Sequence, residues 1–80
     1  MTALTSRTLG SSSVSVSVAG LGCNNFGRPG TRTETQEGTT AVLDAARDAG
    51  VTLLDTADVY TVGVSETFIG VGLKGHRDSF

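Results

Sequence analysis

Residues 43–60, LDAARDAGVTLLDTADVY, pass from one periodicity to another. Val42, just before the stretch, recurs with Ala46 and Ala49 at helical spacing, with Leu43 beside them. Asp44 and Arg47 stand one turn apart, where opposite charges can pair. Gly50 is a natural helix stop. VTLLDTA then runs short and mostly apolar, as a strand buried on both faces of a parallel sheet does. A helix followed by such a strand is the closing half of a β/α/β unit. Within the strand, alternation puts Leu53 and Asp55 on one face and Leu54 on the other. If Leu54 faces helices, Asp55 faces the opposite side. An unpaired buried carboxylate is costly, so Asp55 calls for a cationic partner.

Upstream, SSSVSVSVAGLG alternates strictly, with Val14, Val16 and Val18 on one face and Ser13, Ser15 and Ser17 on the other. That predicts a strand with one polar face, continuing to Gly20 and Gly22 with close backbone packing. RTLG before it suits the first arm of a hairpin that turns at Gly10–Ser12. NNFGRPGTR reads as a loop, and Thr33 with Gln36 as a capping box opening the helix. Downstream, VYTVGV is loop. Ser65 is placed to cap a second helix, with Glu66 in its first turn and Ile69 and Leu73 on its core face. Gly70 and Gly72 weaken that helix but permit close packing, and Gly75 ends it. HRDSF points toward a third strand.

Eighty residues make one small domain or part of a larger one. A net charge of −2 with 18% charged residues offers no basic stripe for nucleic acid and no basic helix for a membrane. No apolar run approaches the ~20 residues of a spanning helix. MTALTSRTLG has no apolar h-region, so no secretory leader is expected. Cys23 is the only cysteine, which fits a reducing cytoplasm. One cysteine and one histidine argue against a zinc site.

The order hairpin, strand, helix, strand, helix implies parallel strands joined by crossovers. GLGCNNFG suggests a dinucleotide fingerprint, but Asn25 stands where the third glycine belongs, and a loop follows where a helix should begin. There is no Walker-type phosphate loop. What fits is the N-terminal portion of a (β/α)8 TIM barrel preceded by a β-hairpin, with its site at the C-terminal ends of the strands. Gly22, Cys23 and Asn24 end one strand there and Asp55 ends the next.

The stretches RTLG, VSVAGLGCNNFG, LDAARDAGVTLLDTADVY, GVSE and IGVGLKGHRD together resemble the N-terminus of an aldo-keto reductase, in the branch that also resembles potassium-channel β subunits. Thr61 and Ser13 stand where that family usually has glycine. The resemblance implies that residues 1–80 are a single partial domain: hairpin, first two β/α units and the start of the third strand. It implies a tetrad of aspartate, tyrosine, lysine and histidine. Asp55 and Tyr60 match the first two as catalytic residues, with the lysine expected shortly beyond Phe80 and the histidine further on. Gly22, Cys23, Asn24 and Asp55 would face the nicotinamide end of NADP, and no metal is implied. Lys74, the only lysine, would lie at the far end of its helix from Asp55, and with His76 reads as a cation near a helix C-terminus. A free phenol, with a pKa of ~10, is a weak acid at neutral pH, and a neighbouring ammonium makes it a better proton donor.

The implied activity is NADP-dependent reduction of small aldehydes or ketones to alcohols, in the cytoplasm. It would belong to the complete barrel, the eighty residues alone being inactive. Two readings stand beside it. One is a nucleotide-sensing regulatory protein like the channel β subunits, which turnover of simple aldehydes would distinguish. The other is an inactive truncated gene product, which an in-frame continuation beyond Phe80 would exclude.

Overall fold

The computed structural model describes residues 4–80, so residues 1–3, part of the stretch read for a leader, lie outside the described residues. Two strands, β1 (Ser6–Thr8) and β2 (Ser15–Ser17), form an antiparallel hairpin with Arg7 opposite Val16. The turn falls where Gly10 predicts it. Gly10 has φ +54°, and the amides of Leu9 and Ser12 donate to Val14 and Leu9 carbonyls at 2.9 Å.

The valine–serine alternation does not sort the hairpin into a buried and an exposed face: Ser17 alone is buried, Val16 is half-buried, and Ser13, Val14, Ser15 and Val18 are exposed. A reciprocal pair accounts for the buried serine: Ser17 N donates to Thr52 Oγ1 at 2.8 Å, and Thr52 N donates to Ser17 Oγ at 2.9 Å. A serine hydroxyl that satisfies a backbone amide is worth burying, and valine offers that amide nothing. The strand also does not run on. It bends at Val18–Ala19, and β3 (Gly20–Gly22) joins a second sheet.

In that sheet β3 pairs parallel with β4 (Leu53–Asp55), in the register Gly20 to Leu53, Leu21 to Leu54 and Gly22 to Asp55. The connection is α1 (Gln36–Asp48), which completes the β/α/β unit. Its N-cap is Thr35, which accepts from Gly38 N at 3.1 Å, not the predicted Thr33. Thr33 is engaged in the preceding loop, with its hydroxyl donating to Asn25 O at 2.9 Å and its carbonyl accepting from Gly27 N at 2.7 Å. Gln36, the other half of the expected box, donates to Phe68 O at 2.9 Å and so ties α1 to α2 (Val64–Gly72). The Arg47–Asp44 pair forms at 3.5 Å, and Gly50 ends the helix at φ +91°.

The core lies between the parallel sheet and the two helices. Cys23, Phe26, Leu43, Ile69 and Leu73 are buried, with Leu21, Val42, Leu54 and Phe80 packed against them. Leu54 thus faces the helices, as alternation requires. The helices approach closely at Gly72, where a Cβ would stand 2.6 Å from Leu43 Cδ1. After α2 the chain does not become a third strand. The amides of His76 and Ser79 close back on Leu73 and His76 carbonyls at 2.8 and 3.0 Å, giving a helical turn over Arg77–Ser79. Short-range bonds satisfy the donors that a strand would have offered to β4.

Candidate active site

Parallel strands present their C-terminal ends side by side, and the register makes Gly22 and Asp55 neighbours there. Cys23 N donates to Asp55 O at 2.9 Å, extending the ladder one step beyond the strand. Gly22, Asn24 and Asp55 are exposed, and no atom comes within 4 Å of a Cβ built on Gly22. The result is an open strand-end floor with a carboxylate and an amide exposed at its edge.

Cys23 differs from its neighbours. Its side chain is fully buried and its carbonyl accepts from Ser65 Oγ at 2.7 Å and Phe26 N at 3.3 Å. With both backbone polar groups and the thiol turned inward, Cys23 anchors the strand end and leaves the open surface to Gly22 and Asn24. Burial first, and the negative charge of Asp55 second, push its thiol pKa from 9.0 to about 11.

Tyr60 follows Asp55 by five positions and is half-buried at the head of the turn Tyr60–Gly63. Thr61 and Val62 take left-handed backbone there, at φ +50° and +54°. Thr61 Oγ1 donates to Phe26 O at 2.9 Å, which joins the loop after β4 to the loop after β3. The loop after β3 also packs against the start of α2, where a Cβ on Gly27 would run into the Val64 side chain. The fold thus brings Gly22, Cys23, Asn24 and Asp55 to one edge, with Tyr60 on a turn fastened beside it. Asp55 and Tyr60 make no hydrogen bond to each other among the described residues.

Lys74 lies just past α2, a helix of nine residues whose other end touches the site through Ser65. At ~1.5 Å per residue that is roughly 13 Å from one end to the other, in keeping with the expected separation from Asp55. His76 Nδ1 contacts Arg47 Nη1 at 3.0 Å. The only ion pair among the described residues is Arg47–Asp44.

Two positions have site roles that local pattern did not reveal. Ser65 was expected as an N-cap, but Gly63 occupies that place. Ser65 sits inside the first turn, fully buried on Cys23 O. Thr61 was read only as a departure from glycine. Both act through partners at least 35 residues away, which no local pattern encodes.

The strand-end floor and the adjacent tyrosine turn lie at the C-terminal edge of the β/α/β unit, the edge at which barrel enzymes carry their sites. The sequence profile of the aldo/keto reductase family matches residues 19–80, and the chain belongs to that family. It is 37% identical over 71 residues to an uncharacterized oxidoreductase of Bacillus subtilis, covering 89% of this chain and 21% of that protein. It is 38% identical over 73 residues to a Schizosaccharomyces pombe protein provisionally named an aryl-alcohol dehydrogenase, covering 86% and 21%. An aldo-keto reductase from Bacillus halodurans, solved in its holo form, superposes with a TM-score of 0.83 at 34% identity over 96% of this chain and 24% of that one. The chain therefore spans about a fifth of the length of the curated relatives it matches. Its fold is the opening portion of a (β/α)8 barrel, with the hairpin in front and no closed barrel among the described residues. No helix among the described residues is long and apolar enough to cross a membrane.

Proposed function

We propose that these residues serve an NADP-dependent oxidoreductase that reduces small aldehydes or ketones to alcohols. The activity belongs to a complete barrel that carries residues 4–80 as its hairpin and first two β/α units. The carrying observation is the register that sets Gly22 beside Asp55, with Tyr60 on the turn that follows the same strand. The alcohol dehydrogenase name of one relative and the holo form of the solved neighbour support the reading.

When bound, the reduced nicotinamide supplies hydride to the carbonyl carbon. Tyr60 donates its phenolic proton to the carbonyl oxygen, where negative charge develops in the transition state. Asp55 holds and orients the ammonium of a lysine contributed by the rest of the barrel, and that cation steadies the negative charge left on the oxygen when the phenolic proton departs. Gly22 and Asn24 form the floor of the cofactor site, and Cys23 fixes their backbone from behind. We place the protein in the cytoplasm, with a small carbonyl compound as its partner and no role for nucleic acid or membrane.

The test is NADPH consumption by that complete barrel against simple aliphatic and aromatic aldehydes, with a titration of NADPH and NADH by fluorescence. Aldehyde-dependent oxidation of NADPH supports the reading. Tight nucleotide binding with no turnover of any carbonyl would overturn it in favour of nucleotide sensing.

A further inference from the structure

Thr61 and Val62 are the only non-glycine residues with left-handed backbone among the described residues. For a β-branched L residue that conformation crowds Cβ against its own backbone, whereas glycine adopts it freely. The two residues differ in what offsets the strain. Val62 is 97% exposed. Thr61 donates from Oγ1 to Phe26 O at 2.9 Å, and its methyl stands 3.4 Å from where a Cβ on Gly27 would be. The acceptor is itself fixed. Phe26 is 2% exposed, and its amide is bonded to Cys23 O at 3.3 Å. One hydroxyl therefore fastens the residue after Tyr60 to the loop that carries Asn24.

We propose that Thr61 is a positioning residue for Tyr60: its hydroxyl latches the tyrosine turn onto the first β/α loop and holds the phenol at the floor formed by Gly22 and Asn24. The proposal rests on the acid role given to Tyr60 above. A glycine at this position would relieve the backbone but leave the turn to be ordered at each encounter with substrate. Backbone strain kept beside a reactive group, and offset by a single directed bond, marks a site where geometry has been favoured over ease of folding. The Thr61 hydroxyl is engaged on Phe26 O. It sets where Tyr60 stands, so its loss should lower kcat and leave KM and nucleotide affinity in place.

The experiment compares Thr61→Gly, Thr61→Ser and Val62→Gly with the parent in the complete barrel. It reads kcat, KM, NADPH affinity and deuterium uptake at the Tyr60 and Val62 amides, which bond to Ala57 and Val59 carbonyls. Thr61→Gly is expected to lose about ten-fold in kcat with KM and NADPH affinity unchanged, and to exchange faster at both amides. Thr61→Ser, which keeps the hydroxyl, should restore both readouts. Val62→Gly relieves the same strain with no bond to lose, and should leave kcat as in the parent. Parental kcat in Thr61→Gly, loss of turnover without faster exchange, failure of the serine to restore, or an equal loss in Val62→Gly would each overturn the latch. If the parent turns over no carbonyl compound, the acid role of Tyr60 fails. Exchange in Thr61→Gly then decides the latch alone: faster uptake upholds it and unchanged uptake removes it.

Discussion

On the roles proposed above, Asp55 and Tyr60 should fail in different ways when Asp55 loses its charge and Tyr60 its proton. Tyr60→Phe removes only the donor that the transition state needs, so turnover in the complete barrel is expected to fall by roughly 10²–10⁴. Nucleotide affinity should hold. Asp55→Asn alters the exposed edge of the cofactor floor as well as the partner of the cation, so it should weaken both turnover and nucleotide binding. Steady-state rates beside fluorescence titrations separate the two patterns. A Tyr60→Phe rate within a few-fold of the parent would remove the phenol from the acid role. Cys23 makes a prediction of the opposite sign with pH. Its thiol pKa is raised from 9.0 to about 11 by burial and by Asp55, so the folded state holds that proton more tightly than the unfolded chain. Stability from this group is complete below pH 9 and drains away as pH rises through about 11. Urea midpoints of the parent and of Cys23→Ala should therefore converge across that window. Curves that stay parallel there would mean that the thiol is not held protonated by the fold.

Three helical glycines give a comparison at the scale of elements. Alanine normally stabilises a helix interior relative to glycine by about 1 kcal/mol. At Gly70 nothing lies within 4 Å of a Cβ, so Gly70→Ala should raise stability by roughly that amount. At Gly72 the Cβ meets the side-chain end of the buried Leu43 at 2.6 Å, and Gly72→Ala should destabilise by about 1 kcal/mol. At Gly38 it meets the backbone carbonyl oxygen of Arg32 at 2.0 Å, which cannot swing aside, and Gly38→Ala should cost about 2–3 kcal/mol. Denaturant unfolding of the three variants in the complete barrel checks the order, and a stabilising Gly38→Ala would contradict the close approach. The same elements show what pattern could and could not reveal. Hairpin, β/α/β unit, ion pair, helix stop and the Ile69–Leu73 face follow from periodicity and turn chemistry, and they emerged as expected. Which threonine caps α1, which residue of the hairpin is buried, and what Ser65 does depend on partners elsewhere in the loops or up to 42 residues away. Asp55 and Tyr60 could be singled out as candidates because a carboxylate after an apolar strand and a tyrosine soon after it stand out within one short run. The latch at Thr61 could not, since its acceptor is a main-chain carbonyl, which no side-chain pattern marks.

At the scale of the whole molecule, β3 and β4 have one partner each among the described residues, so both sides of the parallel sheet remain open. Beside β4 lies an apolar groove with Val14, Val16, Leu53, Ile69, Leu73 and Phe80 along it. A closed barrel needs ~250 residues and leaves no such edge. The eighty residues alone are therefore expected to be catalytically silent and to lack cooperative hydrogen-exchange protection at Gly20–Gly22 and Leu53–Asp55. Uniform protection of both strands with micromolar NADPH binding would make them an independent domain instead. The Ser17–Thr52 pair bears finally on the order of assembly. It joins residues 35 apart in the chain, so the loop between them must close before either bond forms. The hairpin, built from neighbours, closes within microseconds. We expect its docking onto Thr52 to follow α1 and the parallel pairing, which bring residues 17 and 52 together, so that the exchange of two hydroxyl–amide bonds falls late in folding. Its loss would be felt as faster unfolding, with the rate of folding nearly untouched.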